Sequence, residues 1–286
     1  MFVTNFRYAS MLVAFAAILS IVSFQTTAQA EDKQTAADYG VTDGRIEKYN
    51  EQGIPIIDYH IHLRGGMTAE KALERQKLTG YRCAVLKNIG RGWPIENAAQ
   101  LREFIDSAKG SGLLIGLQVN DRDWHKQIPD CLRAKIDYFL GDTMIMPDRE
   151  GKEVRLWMAD QVKIDDPQEW MDRYIKHNLV VLAEPITILA NPTYLPACLA
   201  DQYDELWTEA RMRTVIGAAI KNNVALEING KSGYPHDRFI RIAKEMGAKF
   251  SLGSNNFDDQ PINISRCFDV IDRFGLKKED MYVAGE

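Results

Sequence analysis

From residue 54 to residue 254 the chain repeats one theme: a short apolar run, a polar turn, a stretch with helical spacing, then another apolar run. The runs fall at 54–62, 83–88, 113–120, 137–143, 187–191, 224–229 and 249–254, with an eighth candidate at 281–284. Between them, 68–80 is opened by Thr68 and stopped by Gly80, 96–112 ends on glycines, and 167–184 has proline in its first turn. The stretches 204–223 and 235–247 keep the same spacing. Strand–helix alternation of this length implies a parallel sheet, because parallel neighbours need a crossover that a helix supplies. Closing that sheet into a TIM-type (β/α) barrel removes its exposed edges. A doubly wound open sheet is the alternative.

The first thirty residues stand outside the pattern. Arg7 is the only charge before Glu31, an apolar run spans 11–24, and Ala28-Gln29-Ala30 is a small-residue cleavage pattern. This reads as a secretory signal peptide cut after Ala30. A membrane anchor is the weaker reading, since a span needs about 20 apolar residues. The expectation is an exported protein, periplasmic or secreted, with no stable membrane insertion after cleavage. Residues 31–50 read as a polar lead-in and 51–286 as one barrel domain. Losing Arg7 takes the net charge from −5 to −6, and this mild acidity argues against a nucleic-acid partner. Cys83, Cys131, Cys198 and Cys267 are widely spaced and form no CxxC. Export permits disulfides, but Cys83 in a strand and Cys267 in a helical pattern read as buried thiols.

Barrel active sites lie at the C-terminal ends of the strands. The first strand ends in "DYHIH", where alternation places Asp58, His60 and His62 on one face and Ile57, Tyr59 and Ile61 on the other. Two imidazoles about 7 Å apart along a strand suit one metal ion; one hydrogen-bonded histidine and one exposed histidine is the plainer reading. Glu227, in "VALEING", faces away from Leu226 and Ile228 and into the barrel, where a carboxylate needs a cation or several donors. Arg64, Lys87, Arg91, Arg122 and Lys231 follow or end strands. Cations around one mouth favour an anionic ligand, unless each pairs with a rim acid. Asn255 and Asn256 are polar contacts or turn formers. Glu184 reads as a structural partner, and His125, His177 and His236 as surface residues. Trp93 and Trp124 wall a cleft or cover the mouth.

The segments "DYHIH" and "ALEINGKSGYPHDRFIRIAKEMGAKFSLGSNNFD" resemble the opening and closing motifs of the polymerase and histidinol phosphatase (PHP) superfamily. The resemblance implies a distorted seven-stranded barrel whose two or three metal ions activate water against phosphate esters. The family's Asp-His after the second strand is matched here by Lys87-Asn88, its bridging glutamate by Gln118, its histidine before proline by Asn191, and its closing Asp-x-His by Asn255-Asn256-Phe257. Each replacement removes an anion or an imidazole, and several divalent ions need negative ligands. The resemblance then implies at most one divalent ion, zinc or manganese, on His60, His62 and Glu227. Without a metal, His60 or His62 serves as general acid–base. The leading expectation is an exported metal-dependent hydrolase of phosphoesterase type acting on a small anionic or sugar-like substrate. Lys87 and Arg122 would hold the anion, with Arg64, Asn191, Lys231 and Asn255 as further contacts. Glu227 would complete the metal shell or take a proton. The competing readings are a degenerate barrel that binds a small anion and a metal-free lyase or isomerase. An amidohydrolase-type barrel also opens on His-x-His but wants more histidines than this chain has.

Overall fold

The structure, a computed structural model, describes residues 34–42, 44–120, 122 and 124–285. The signal-peptide expectation lies outside the described residues. The strands are β1 (Ile57–His62), β2 (Arg82–Ile89), β3 (Leu114–Val119), β4 (Tyr138–Asp142), β5 (Ile145–Pro147), β6 (Glu153–Arg155), β7 (Ile188–Ala190), β8 (Ala225–Asn229) and β9 (Phe250–Gly253). β1, β2, β3, β4, β7, β8 and β9 close, in that order, into a barrel of parallel neighbours. The (β/α) barrel is therefore the fold, and the open sheet is excluded. The helices are α1 (Arg45–Glu51), α2 (Ala69–Thr79), α3 (Ala98–Ala108), α4 (Asp130–Arg133), α5 (Pro167–Ala183), α6 (Tyr203–Leu206), α7 (Glu209–Lys221), α8 (Asp237–Glu245) and α9 (Ser265–Phe274).

Side-chain alternation along the strands builds two apolar layers. Inside the barrel, Ile57, Tyr59, Ala84, Leu86, Tyr138 and Leu140 pack together. Outside it, Val85, Leu117, Leu226 and Ile228 meet the helices. Gly116 makes room for the inner layer, since a Cβ there would lie 2.2 Å from the Tyr138 ring. Helix starts follow local chemistry. Thr68, Asn97 and Asp166 each accept a backbone N–H at the head of α2, α3 and α5, satisfying donors that helical bonding leaves over.

Four expectations are corrected. The run 281–284 is not a strand: Met281 makes one isolated bridge to Phe250. Tyr282 packs on Tyr59 with ring centroids 5.3 Å apart, and the Ala284 N–H donates to the Tyr59 hydroxyl at 3.1 Å, closing the barrel floor. The stretch 204–223 is not one helix. It breaks at buried Trp207, and Thr208 recaps the chain for α7 by accepting from the Arg211 N–H. A short antiparallel hairpin, β5–β6, stands where no element was expected, its strands too brief to show a period. Residues 34–50, read as a polar lead-in, instead place Tyr39, Ile46 and Tyr49 in the outer core. The Tyr49 hydroxyl donates to the Phe268 carbonyl at 3.1 Å. All four cysteines are free, with Cys83 and Cys267 buried as expected.

Candidate functional site

The floor of the barrel is apolar and its C-terminal end is polar, so the chemistry collects at one mouth. The first strand reaches it by a departure from strict alternation. Asp58 pairs with Cys83 but Ile61 pairs with Val85, so β1 carries one extra residue between them. Such a bulge re-aims side chains. Ile57 and Tyr59 fill the lumen, Ile61 joins the outer core, and the His60 side chain meets Glu227 of the lumen face. The expectation that Asp58, His60 and His62 share a face while Tyr59 and Ile61 share the other is thus corrected. Asp58 instead accepts from the backbone of His60 at 3.1 Å and of Ser254 at 2.9 Å, tying β1 to the turn after β9.

At the centre is a buried pair. His60 Nδ1 lies 2.5 Å from Glu227 Oε1, and both side chains are 1% exposed. The other glutamate oxygen accepts from the Asn191 N–H at 2.8 Å and from Asn229 Nδ2 at 3.2 Å. Burial alone would push Glu227 up; the facing His60 and the amide donors overcome it and hold the carboxyl below its usual range. Burial alone would pull His60 down; the Glu227 carboxylate outweighs it and raises the ring. Both shifts favour the charged pair, carboxylate facing imidazolium, an arrangement in which each partner offsets the cost of burying the other.

His62 stands beside His60, ring centroids 5.0 Å apart. Burial, then the charges of His60 and Arg64, hold its ring well below the usual value, against hydrogen bonding with Asn88 and Asn255 that favours the protonated ring. Two adjacent imidazoles are thus pushed in opposite directions. His60 Nε2 and His62 Nδ1 are both buried and have no hydrogen-bond partner among the described residues. Above them, Phe257 stacks on His62 at 6.2 Å and 17°. Arg64 lies 4.8 Å and Lys231 4.2 Å from the same Phe257 ring. Both cations are exposed and neither forms an ion pair among the described residues.

Other expected residues are placed as follows. Asn191 belongs to the site: its side chain reaches Asp142 and accepts from Asn229 at 3.0 Å. Asn191 and Asn255 hold φ of 45° and 50°, left-handed backbone that asparagine tolerates better than most residues. Lys87 is not in the site. It faces outward between Leu86 and Asn88 of the lumen face, its amine 5.6 Å over the Phe104 ring of α3. Arg122 donates to the Asn120 carbonyl at 3.2 Å and lines a cleft beside α5 rather than the histidine pair. Arg91 is exposed on the loop after β2. Trp124 is buried against Phe139, with centroids 4.8 Å apart, so it walls no cleft. Trp93 lies under Arg155 of the hairpin. Glu184 is a structural partner of His125 at 3.1 Å. His236 is exposed, but His177, read as a surface residue, is buried.

Two residues of the site, Asp142 and Gly253, have no role in the sequence reading, although Asp142 is recognisable there as the polar end of the fourth strand. Asp142, at the end of β4, accepts from Gln118 Nε2 at 3.1 Å and the Met144 N–H at 2.7 Å; burial pushes it up to about 6. Its alternation with Leu140 was the available signal. Gly253 has no signal of that kind: a Cβ there would fall 2.0 Å from Glu227 Oε1 and 2.8 Å from the His60 Cβ.

The metal set does not fit as expected. Both oxygens of Glu227 are already engaged, so it backs His60 rather than offering a ligand. Gln118, Asn191 and Asn88 bring neutral amides to the places where cations would need charge. Among the described residues no three of His, Cys, Asp and Glu gather to hold a metal ion.

No protein-family model matches the chain, and no curated protein matches it. Among solved structures, an HpcH/HpaI aldolase from Desulfitobacterium hafniense aligns at TM-score 0.35 and 14% identity over 73% of this chain and 89% of that one. A phospho-2-dehydro-3-deoxyheptonate aldolase from Thermotoga maritima aligns at 0.30 and 10% over 78% and 68%. Neither carries an argument. The histidinol phosphate phosphatase from Lactococcus lactis subsp. lactis, solved with zinc, L-histidinol and phosphate, aligns at TM-score 0.55 and 14% identity over 81% of this chain and 97% of that one. What the chain shares with that phosphatase is its barrel fold.

Proposed function

We propose that the chain is an enzyme that moves protons on a small anionic substrate bound at the barrel mouth. The observation that carries this reading is the pair of buried imidazoles with one unpartnered nitrogen each, His60 Nε2 and His62 Nδ1, beneath the Arg64–Lys231 rim. Burying an imidazole nitrogen without a partner is costly, and a substrate atom removes that cost. Arg64 and Lys231 hold the anion, and Phe257 presents its exposed ring to the body of the substrate. Glu227 fixes the orientation of His60, which gives a proton from Nε2; neutral His62 takes one at Nδ1. Both nitrogens belong to rings 5.0 Å apart on one strand, so the proton leaves and returns on one side of the substrate. That geometry favours elimination, isomerisation or hydrolysis of a carboxyl derivative. In-line displacement at phosphorus sets the attacking and leaving oxygens on opposite sides. The phosphatase neighbour, solved with phosphate and L-histidinol, supports a small anionic ligand. Export after cleavage near Ala30 is part of the proposal and rests on residues 1–30 of the sequence.

The test is turnover with a chelator present, on lactones, activated esters, phosphate monoesters and hydroxy acids, each carrying a carboxylate or phosphate. Turnover that survives chelation, and that falls about 100-fold or more in His60→Gln and in His62→Gln, is the expected result. Turnover abolished by the chelator and restored by zinc or manganese sinks the acid–base reading in favour of a metal-dependent hydrolase. Tight binding without turnover of any compound leaves a binding module.

A further inference from the structure

A second concavity, a cleft of about 430 Å³, lies between the β5–β6 hairpin and α5, within the range of small-molecule sites. Its walls differ in charge. The hairpin contributes Asp148 and Glu153 and no cation; α5 contributes Lys176 and Arg173 and no acid. The loop after β3 adds Arg122. Arg173 is answered on its own helix by Glu169 at 3.0 Å. No ion pair joins Asp148 or Glu153 to Lys176 or Arg173 among the described residues. Between the charged walls, Ile145, Met146 and Val180 line the cleft, and Val180 is 53% exposed.

An independent observation points into the same space. His177 lines the cleft and is 8% exposed, yet its Nε2 has no hydrogen-bond partner among the described residues. Backbone groups of Ile145 and Thr143 interact with the ring in the sense that favours its protonation, as acceptors do. Nε2 is left buried without a partner, where a polar atom needs one.

We propose that this cleft is a binding site for a small zwitterion with an apolar body, of the chemical class of a free apolar amino acid. The ammonium group donates to His177 Nε2 and faces the hairpin acids. The carboxylate faces Lys176 and Arg122. The apolar body covers Ile145, Met146 and Val180. Burial beside Arg122 pulls His177 down to about 4, which keeps the lone pair available at neutral pH. The site is separate from the histidine pair of the lumen and does not depend on the reaction proposed for it. The two approach through Asn120, which lines the cleft and accepts from Asn88 at 3.1 Å.

Calorimetric titration of the full chain with L-leucine, L-methionine and L-phenylalanine tests this, beside 4-methylpentanoate, which has only the carboxylate, and 3-methylbutylamine, which has only the amine. At least one amino acid binds, and both single-charge analogues bind about 10-fold or more weakly. Lys176→Ala and Glu153→Gln, both at exposed side chains, each weaken amino-acid binding about 10-fold without lowering the melting temperature. His60→Gln leaves that binding unchanged, which separates this site from the lumen. Binding by none of the amino acids overturns the proposal. So does equal binding of a single-charge analogue, or a loss of binding in His60→Gln with none in Lys176→Ala.

Discussion

Asp142 and Glu227 are carboxylates buried in one lumen, and their neighbours push them in opposite directions. Glu227 faces a histidine and two amide donors and is held low; Asp142 is raised to about 6 because burial outweighs the donors it has. The consequence for stability has a definite sign. The folded chain keeps the Asp142 proton to about pH 6, whereas the unfolded chain releases it near the ordinary 3.8. The folded state therefore binds more protons across that interval, and this residue's contribution falls as pH rises from about 4 to about 6. At 1.36 kcal/mol per pH unit the full difference is about 3 kcal/mol. Asp142→Asn keeps an acceptor for the Met144 N–H and removes the charge. It should melt several degrees above the parent at pH 7.5, and the gap should close near pH 4; thermal melts of both proteins across that range check it. An equal gap at every pH would place the effect in packing instead. At this scale the sequence showed which polar residues end strands. It did not show their charge states, because those depend on groups far along the chain, as with His60 and Glu227, 167 positions apart.

A strand's pattern is legible only while its pairing is regular. The inward turn of Glu227 between Leu226 and Ile228 was read correctly because β8 pairs with β9 in unbroken register. The faces of β1 were misread because one extra residue enters between Asp58 and Ile61, and a bulge follows from how two strands pair rather than from either sequence alone. Lys87 was drawn into the site by its position at a strand end, though alternation with Leu86 and Asn88 sends it outward. β9 adds a constraint that belongs to the element: at Gly253 it runs against the space taken by Glu227 of β8 and His60 of β1. Gly253→Ala forces a methyl into that contact. Overpacking of this kind costs about 1–3 kcal/mol, and here relief comes by moving Glu227 and His60. The variant should fold with a lowered melting temperature and lose most turnover. Unfolding curves alongside kcat and KM check both halves, and full activity would mean that the pair lies elsewhere than argued.

For the molecule as a whole, the barrel buries a continuous outer layer that begins before the first strand. Tyr39, Ile46 and Tyr49 are each at most 3% exposed, Tyr39 accepts the Ile264 N–H at 3.1 Å, and Arg75 lies 4.8 Å over the Tyr39 ring. Removing 34–51 uncovers α2 and α9 and forfeits about 1.5–3 kcal/mol for each large side chain lost from the core, a loss comparable with the whole stability of a domain. A chain starting at Gln52 should be insoluble or unfolded by circular dichroism; a cooperative melt near that of the longer protein would return this stretch to the status of a polar lead-in. The sequence by itself determined the class of fold, the seven strands of the barrel, the two histidines and the inward glutamate. Each of these is written in local periodicity, and periodicity comes from backbone geometry that every chain shares. Only the tertiary structure decided that Glu227 serves His60, that Gly253 clears the space for them, that Arg64 and Lys231 converge on Phe257 while Lys87 and Arg122 do not, and that Asp142 and His177 are buried. Those outcomes depend on distances between segments far apart in the chain, where burial and the field of a neighbouring charge exist only once the barrel has closed.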